Sequence, residues 1–148
     1  MNTINSFEGD FSFLSNFFPS PIVDENGTTW DTVEHFFQAS KSLDLNEKEF
    51  VRGKTTAGRA KRAGRKISIR SDWDDVKITF MQVALLMKFS QNENLKRLLL
   101  ETGDAVIVEG NNWHDNFWGV CDCSSCDGVG TNFLGRLLMQ IREFLNKE

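Results

Sequence analysis

The chain has 148 residues, with a hydrophobic share of 40% and a charged share of 26%, the balance of one globular domain with a real core. A net charge of −4 argues against a protein that coats nucleic acid, and the longest strongly apolar run, Val83 to Met87, is far too short to span a membrane. Thirteen Phe, four Trp and no Tyr point to a Phe-rich core, because Phe brings no hydroxyl that burial must satisfy.

Residues 7–18, F-E-G-D-F-S-F-L-S-N-F-F, mix short alternation with Gly and Asn and predict a strand or two before a turn at Pro19-Ser20-Pro21. Ile22–Val23 and Thr28–Thr29 are placed to pair around Glu25-Asn26-Gly27, since Asn-Gly is a strong hairpin signal. From Trp30 to Lys41 the chain reads W-D-T-V-E-H-F-F-Q-A-S-K, a capping box from Asp31 to Glu34 and then a helix ending near Leu43. Helical spacing puts Glu34, Gln38 and Lys41 on one stripe bordered by Trp30 and Phe37, with Val33, Phe36 and Ala39 on the far side. That stripe is either a solvated polar face or one wall of a polar pocket, and periodicity alone favours the solvated face.

Asn46 caps a short helix through Val51 that stops at Gly53, and Ala57 to Lys66 continues as helix despite Gly58 and Gly64. A second capping box, Ser71 to Asp74, opens a long helix to about Phe89 whose buried stripe is Trp73, Val76, Phe80, Ala84 and Met87. Glu93–Glu101 is a helix stopped by Thr102-Gly103. Ala105–Val108 and Phe117–Val120 are strand candidates, and Asn132–Asn146 closes the chain as an amphipathic helix through Phe133, Leu137, Met139 or Gln140, and Phe144. The sum is a helix-dominated α+β fold with a few short strands, one domain over residues 1–148.

Three local features carry chemistry. Between Val51 and Ser71 there is no acid, yet Arg52, Lys54, Arg59, Lys61, Arg62, Arg65, Lys66 and Arg70 all fall there. Such a local positive field suits a phosphate-bearing ligand, and its ordinary alternative is a basic helix paired with acidic neighbours. Cys121-Asp122-Cys123-Ser124-Ser125-Cys126 brings three thiols together, and His114, Asp115 or Asp122 is near enough in sequence to complete a zinc set. With no second cluster at finger spacing, the default is a reduced, Gly-rich loop, and neither a metal nor a cofactor is expected. Trp113-His114-Asp115-Asn116-Phe117-Trp118-Gly119 sets an acid between indoles and an imidazole, as either a cleft element or an edge loop. Asn16, in L-S-N-F-F-P, is either a turn residue or a hydrogen-bond partner for a ribose hydroxyl. An odd cysteine count and the lack of a basic, apolar leader predict a cytoplasmic location.

Seven segments in order resemble the YbiA-like, or NADAR, family: F-L-S-N-F-F-P-S-P-I at 13–22, W-D-T-V-E-H-F-F-Q-A-S-K at 30–41, A-K-R-A-G-R at 60–65, D-W-D-D-V-K at 72–77 with M-Q-V-A-L-L-M-K-F at 81–89, L-L-L-E-T-G-D-A at 98–105, D-N-F-W-G at 115–119 and G-T-N-F-L-G-R-L-L-M at 130–139. The resemblance implies the YbiA-like fold and an N-glycosidase. Its expected substrates are ADP-ribose attached to guanine, in nucleic acid or nucleotide, or ribosylamino-pyrimidine phosphates of riboflavin synthesis. A binding module for NAD-derived ligands is the rival from another class. Motif by motif, the catalytic glutamate falls on Glu34, the tryptophan of D-W-D on Trp73, the acid of D-x-x-W-G on Asp115 and the helix-ending lysine on Lys41. The implied substrate-binding set is Asn16, Phe17, Lys61, Arg65, Trp118 and Asn132, with Gly58 and Gly64 allowing close approach of phosphates. Many relatives carry Pro where this chain has Ala57, so a different helix start is expected there.

Overall fold

The computed structural model describes residues 2–148. In chain order the elements are β1 (Thr3–Ile4), a 3-10 helix (Gly9–Leu14), β2 (Ile22–Val23), β3 (Thr29–Trp30), α1 (Val33–Ala39), α2 (Leu45–Arg52), α3 (Ala57–Ala63), α4 (Trp73–Gln91), α5 (Glu93–Glu101), β4 (Val106–Ile107), β5 (Gly110–Asn111), β6 (Val120–Cys121) and α6 (Phe133–Asn146). This is the expected helix-dominated α+β fold. The chain divides into two compact units, Asn16–Asn92 and the segment up to Ser15 together with Glu93–Glu148.

In Asn16–Asn92, β2 and β3 form the predicted antiparallel hairpin, with Ile22 opposite Trp30. Asp24 holds its turn by accepting from the backbone N–H of Asn26 and Thr28, while Gly27 takes the left-handed conformation (φ +80°) that Asn-Gly turns require. Ile22, Trp30, Ala39, Val51, Ala60, Ala63 and Ile67 make the core, with Phe36 and Met87 packed against it. Each predicted helix exists, but the caps differ. Thr32, not Asp31, caps α1 through its hydroxyl. Asp44, not Asn46, caps α2 by accepting from Asn46 and Glu47 N–H. Asp72 precedes α4 with no side-chain cap, because its carboxylate is taken by Arg70, so the Ser71–Asp74 box does not form. Helix α3 begins at Ala57 itself, capped by Thr56, so the loss of Pro leaves the helix start at that residue. The buried face of α4 is Met81, Ala84, Leu85, Lys88 and Phe89, whereas Trp73, Val76, Phe80 and Met87 are only half-buried.

In the other unit, β1 pairs in parallel with β4, and β5 in parallel with β6. Helix α6 packs on β4 and α5, and Arg142 donates to Thr102 Oγ1 and Ala105 O at 2.9 Å, tying α6 to the end of α5. The buried face of α6 is Leu134, Leu137, Leu138, Ile141 and Leu145. Phe144 is exposed, so the helix is rotated from the expected stripe. The predicted strand within residues 7–18 is a 3-10 helix, entered through left-handed Gly9 (φ +57°). The strand expected from Phe117 begins only at Val120, because the Asp115 side chain holds the Phe117 and Trp118 N–H groups in a turn. Among the described residues, no helix is long and apolar enough to cross a membrane.

Candidate functional site

Helix α1 is buried nearly all round: Val33, Glu34, His35, Phe37, Gln38 and Ala39 are all inside. The solvated-face expectation for its polar stripe is therefore wrong. Burial of polar groups requires partners, and the local hydrogen bonds supply them. His35 Nε2 lies 2.9 Å from the Lys54 carbonyl, which can only accept, so Nε2 carries the proton. Nδ1 then accepts from the Thr32 hydroxyl at 2.8 Å while that oxygen caps the His35 N–H, which makes His35 a structural clamp on the start of α1. The clamp turns the preceding residue inward: Glu34 is only 6% exposed. Its backbone N–H donates to Asn16 O at 3.2 Å, and its Oε2 accepts from Gln38 Nε2 at 3.4 Å.

Two amide oxygens of residues bonded to Glu34, Asn16 Oδ1 and Gln38 Oε1, are buried with no hydrogen-bond partner among the described residues. Asn16 Nδ2 makes only a 3.5 Å contact with the Met81 sulfur. Gln38 itself lies on Gly64, where a Cβ would collide with its Oε1. The expectation that Gly64 gives room to a phosphate is corrected accordingly: the missing side chain accommodates Gln38. Gly58 faces the Phe17 ring, its Cβ position 4.0 Å from Phe17 Cε2.

Helix α1 ends at Ala39, so Lys41 lies beyond it rather than on its stripe, pinned through its carbonyl by Arg70 N–H at 2.7 Å. Its amine nevertheless falls within electrostatic reach of Glu34, Lys61 and Arg65. Burial holds the Lys41 ammonium below the ordinary lysine range. Glu34 opposes that shift, and Lys61 and Arg65 reinforce it. Lys61 also stands over the Phe17 ring, 5.9 Å from its centre, and Phe17 is substantially exposed. The basic segment does not act as one pool. Arg52 pairs with Glu49 and Arg70 with Asp72. Lys54, Arg59, Arg62, Arg65 and Lys66 line an open cleft of about 400 Å³ with Phe50, and Arg65 belongs both to it and to the Lys41 neighbourhood. Trp73, at the first turn of α4, is half-buried, stacked on Phe80 at 6.0 Å and tilted against Phe37 at 5.1 Å.

The remaining predicted residues lie in the second unit. Asn111 is buried and holds the loop after it: its Nδ2 donates to Asp115 O at 2.9 Å, and its Oδ1 accepts from Trp113 and Asp115 N–H. Asp115 Oδ1 accepts from Trp118 N–H at 2.9 Å and Phe117 N–H at 3.2 Å, so the carboxylate is oriented by the backbone. Trp118 packs edge-on to Phe117 at 4.8 Å. Asn132 is corrected from ligand contact to framework. In a left-handed conformation (φ 54°), its Oδ1 accepts from Glu109 N–H at 3.0 Å and its Nδ2 donates to Ile107 O at 2.9 Å. Sequence spacing places Gln38 on the Glu34 stripe, but it does not single out Thr32 or Asn111.

A model of the NADAR domain matches residues 5–146. The chain is 41% identical over 142 residues to the N-glycosidase YbiA of Escherichia coli, covering 95% of this chain and 85% of that protein. It is 38% identical to an N-glycosidase of Nostoc punctiforme, over 90% of this chain and 85% of that one. It is also 38% identical to the chloroplastic riboflavin biosynthesis protein PYRR of Zea mays, over 89% of this chain but only 23% of that protein. The NMR structure of E. coli YbiA superposes with a TM-score of 0.84 at 39% identity, covering 99% of this chain and 86% of that one.

Proposed function

Because the chain belongs to the NADAR family and is an N-glycosidase of the YbiA type, we propose that it hydrolyses the bond between ribose C1′ and a base nitrogen, with Glu34 as the carboxylate that meets the reacting sugar. The observation carrying this reading is a buried acid hydrogen-bonded to two residues, Asn16 and Gln38, whose amide oxygens are orphaned. Unsatisfied buried acceptors call for donors, and ribose hydroxyls supply them. As the C1′–N electron pair departs to the base nitrogen, positive charge develops on the sugar, and the Glu34 carboxylate stabilises it. Water then adds its oxygen to C1′ and keeps one proton as the new hydroxyl, while Glu34 takes the other and passes it on to the departed base nitrogen.

Lys61 and Arg65, near Lys41, supply charge for substrate phosphates, and the exposed Phe17 ring beside Lys61 offers an apolar face. Trp73 offers a π face on which the base stacks. The depressed Lys41 amine favours a direct chemical role, including an imine with the opened sugar. Asp115 and Trp118 enter from the family motif alone. The preferred substrate is ADP-ribose on guanine, in nucleic acid or nucleotide. A second reading, a ribosylamino-pyrimidine phosphate, is favoured by the riboflavin names of the Zea mays and Vibrio vulnificus relatives.

The test offers a guanine-ADP-ribosylated oligonucleotide and a ribosylamino-pyrimidine phosphate in parallel and follows released base by chromatography. Glu34→Gln is expected to lower kcat by about 10²–10⁴-fold with KM little changed. Borohydride added during turnover would leave a sugar adduct on Lys41 if the imine forms. No base released from either substrate by wild type, or full activity in Glu34→Gln, would sink the proposal.

A further inference from the structure

The geometry points to a structural zinc site built from His114, Cys121, Cys123 and Cys126, which staples the loop that carries Asp115. Parallel pairing of β5 with β6 sets Asn111 beside Cys121, bringing the loop after β5 alongside the cysteine turn. Cys121 arrives on β6. The next residues fold back on it through Asp127 N–H to Cys123 O and Gly128 N–H to Cys121 O, both 2.9 Å, which returns Cys123 and Cys126 to the same point. His114 closes the set from the other segment, in a left-handed conformation (φ 71°) that is uncommon for a non-glycine residue.

Four donor atoms, one imidazole nitrogen and three sulfurs, lie within 4.8 Å of one another. His114 Nδ1 is 3.4 Å from Cys123 Sγ, 3.4 Å from Cys126 Sγ and 4.0 Å from Cys121 Sγ. A tetrahedral zinc with Zn–S of about 2.3 Å and Zn–N of about 2.0–2.1 Å sets nitrogen about 3.5 Å from sulfur and sulfur about 3.8 Å from sulfur. The His114 nitrogen therefore stands within about half an ångström of the zinc spacing from each sulfur, and the sulfurs, all within 4.8 Å of one another, need close by no more than about 1 Å. The cysteines are free thiols rather than a disulfide, and three of them could not all pair internally. Three thiolates with one imidazole select a borderline-soft, redox-inert ion over magnesium or calcium, and four protein ligands close the sphere, which is the structural pattern.

Sequence alone favours a metal-free loop because no second cluster stands at finger spacing, and it leaves His114, Asp115 and Asp122 open as the fourth ligand. The fold singles out His114. On binding, the three thiols release their protons to solvent and no electron is transferred. The ion would fix His114 directly before Asp115. Asn116, directly after it, already contacts Cys126 Sγ through Nδ2 at 3.5 Å. The site thus holds both neighbours of the acid.

The experiment uses the full chain purified under reductant, stripped with chelator and titrated with zinc chloride. One zinc per chain by elemental analysis is expected, together with at least tenfold slower reaction of all three thiols with a disulfide reagent. Cobalt chloride should give the visible bands of a tetrahedral thiolate site, and zinc should slow amide exchange over residues 111–118. Cys123→Ser and His114→Asn (Asn tolerates the left-handed backbone) should each lose zinc by more than tenfold while keeping native far-ultraviolet circular dichroism. Wild type that takes up under one-tenth equivalent of zinc would overturn the site, as would thiols equally reactive with and without it. Undiminished zinc in His114→Asn, or preferential retention of iron, would also overturn it. None of these readouts depends on glycosidase activity.

Discussion

Replacing Gly64 by Ala isolates the contact that holds Gln38 against Glu34. Gly64 caps α3 with φ −61° and ψ −17°, a conformation Ala adopts freely, so backbone preference alone would stabilise the variant by about 0.4–1 kcal/mol. A Cβ there would collide with Gln38 Oε1 and lie 2.8 Å from its Cδ and 3.1 Å from its Cβ, all of them side-chain atoms with little room to retreat in a buried site. Overpacking of this kind costs about 1–3 kcal/mol. Expelling Gln38 also breaks its hydrogen bond to the Glu34 carboxylate, about 1.5 kcal/mol at the weak end because that bond is long. The net expectation is a loss of about 2 kcal/mol, which in urea moves the midpoint down by about 1 M at an ordinary slope. In a Gln38→Ala background the obstacle is gone, and Gly64→Ala should become neutral or stabilising by about 0.4–1 kcal/mol. Equilibrium urea unfolding of the four proteins measures the coupling. A Gly64→Ala variant as stable as wild type, or the same loss with and without Gln38, would refute the packing argument and remove the support for how Glu34 is oriented.

Lys41 should titrate below an ordinary lysine when its side-chain nitrogen is followed by NMR. Glu34→Gln, which removes the charge opposing the shift, should lower the midpoint further, and Lys61→Met should raise it; movement in the opposite sense would refute the assigned causes. Burial lowers Lys88 to about 7 from an ordinary 10.5, so the unfolded chain binds its proton across that interval and the folded one does not. Wild type should therefore gain stability relative to Lys88→Met as pH rises from about 7 to 10.5, with a slope approaching about 1.4 kcal/mol per pH unit, read from urea midpoints. Asn132→Ala should cost about 2–4 kcal/mol in unfolding free energy through two lost hydrogen bonds and an unfavourable left-handed Ala, with KM unchanged. A tenfold rise in KM at native stability would restore Asn132 as a substrate contact.

Much of the fold was legible because its signals are local. The Asn-Gly hairpin, the Glu93–Glu101 helix and the terminal helix fall within a residue or so of their predicted bounds. Caps were less legible because several cap-forming residues stand side by side. Thr32 prevails over Asp31 because its hydroxyl serves both His35 N–H and His35 Nδ1, a partnership that exists only once Lys54 O has claimed the other ring nitrogen. Spacing did place Glu34 and Gln38 on one stripe, and the motif resemblance named Glu34.

The sequence by itself determined the helix-dominated class, the family and the residue types available for chemistry, since these rest on periodicity and ordered motifs. Only the tertiary structure decided which polar groups are buried, because hydrophobicity cannot reveal that Gln38 and Asn16 bury acceptor oxygens beside an acid. It alone divided the basic segment among ion pairs, the Lys41 neighbourhood and a cleft that shares Arg65 with it, since like charges along a chain diverge around a helix. And it alone chose His114 as the fourth companion of three cysteines, through parallel pairing and a left-handed backbone that no local pattern announces.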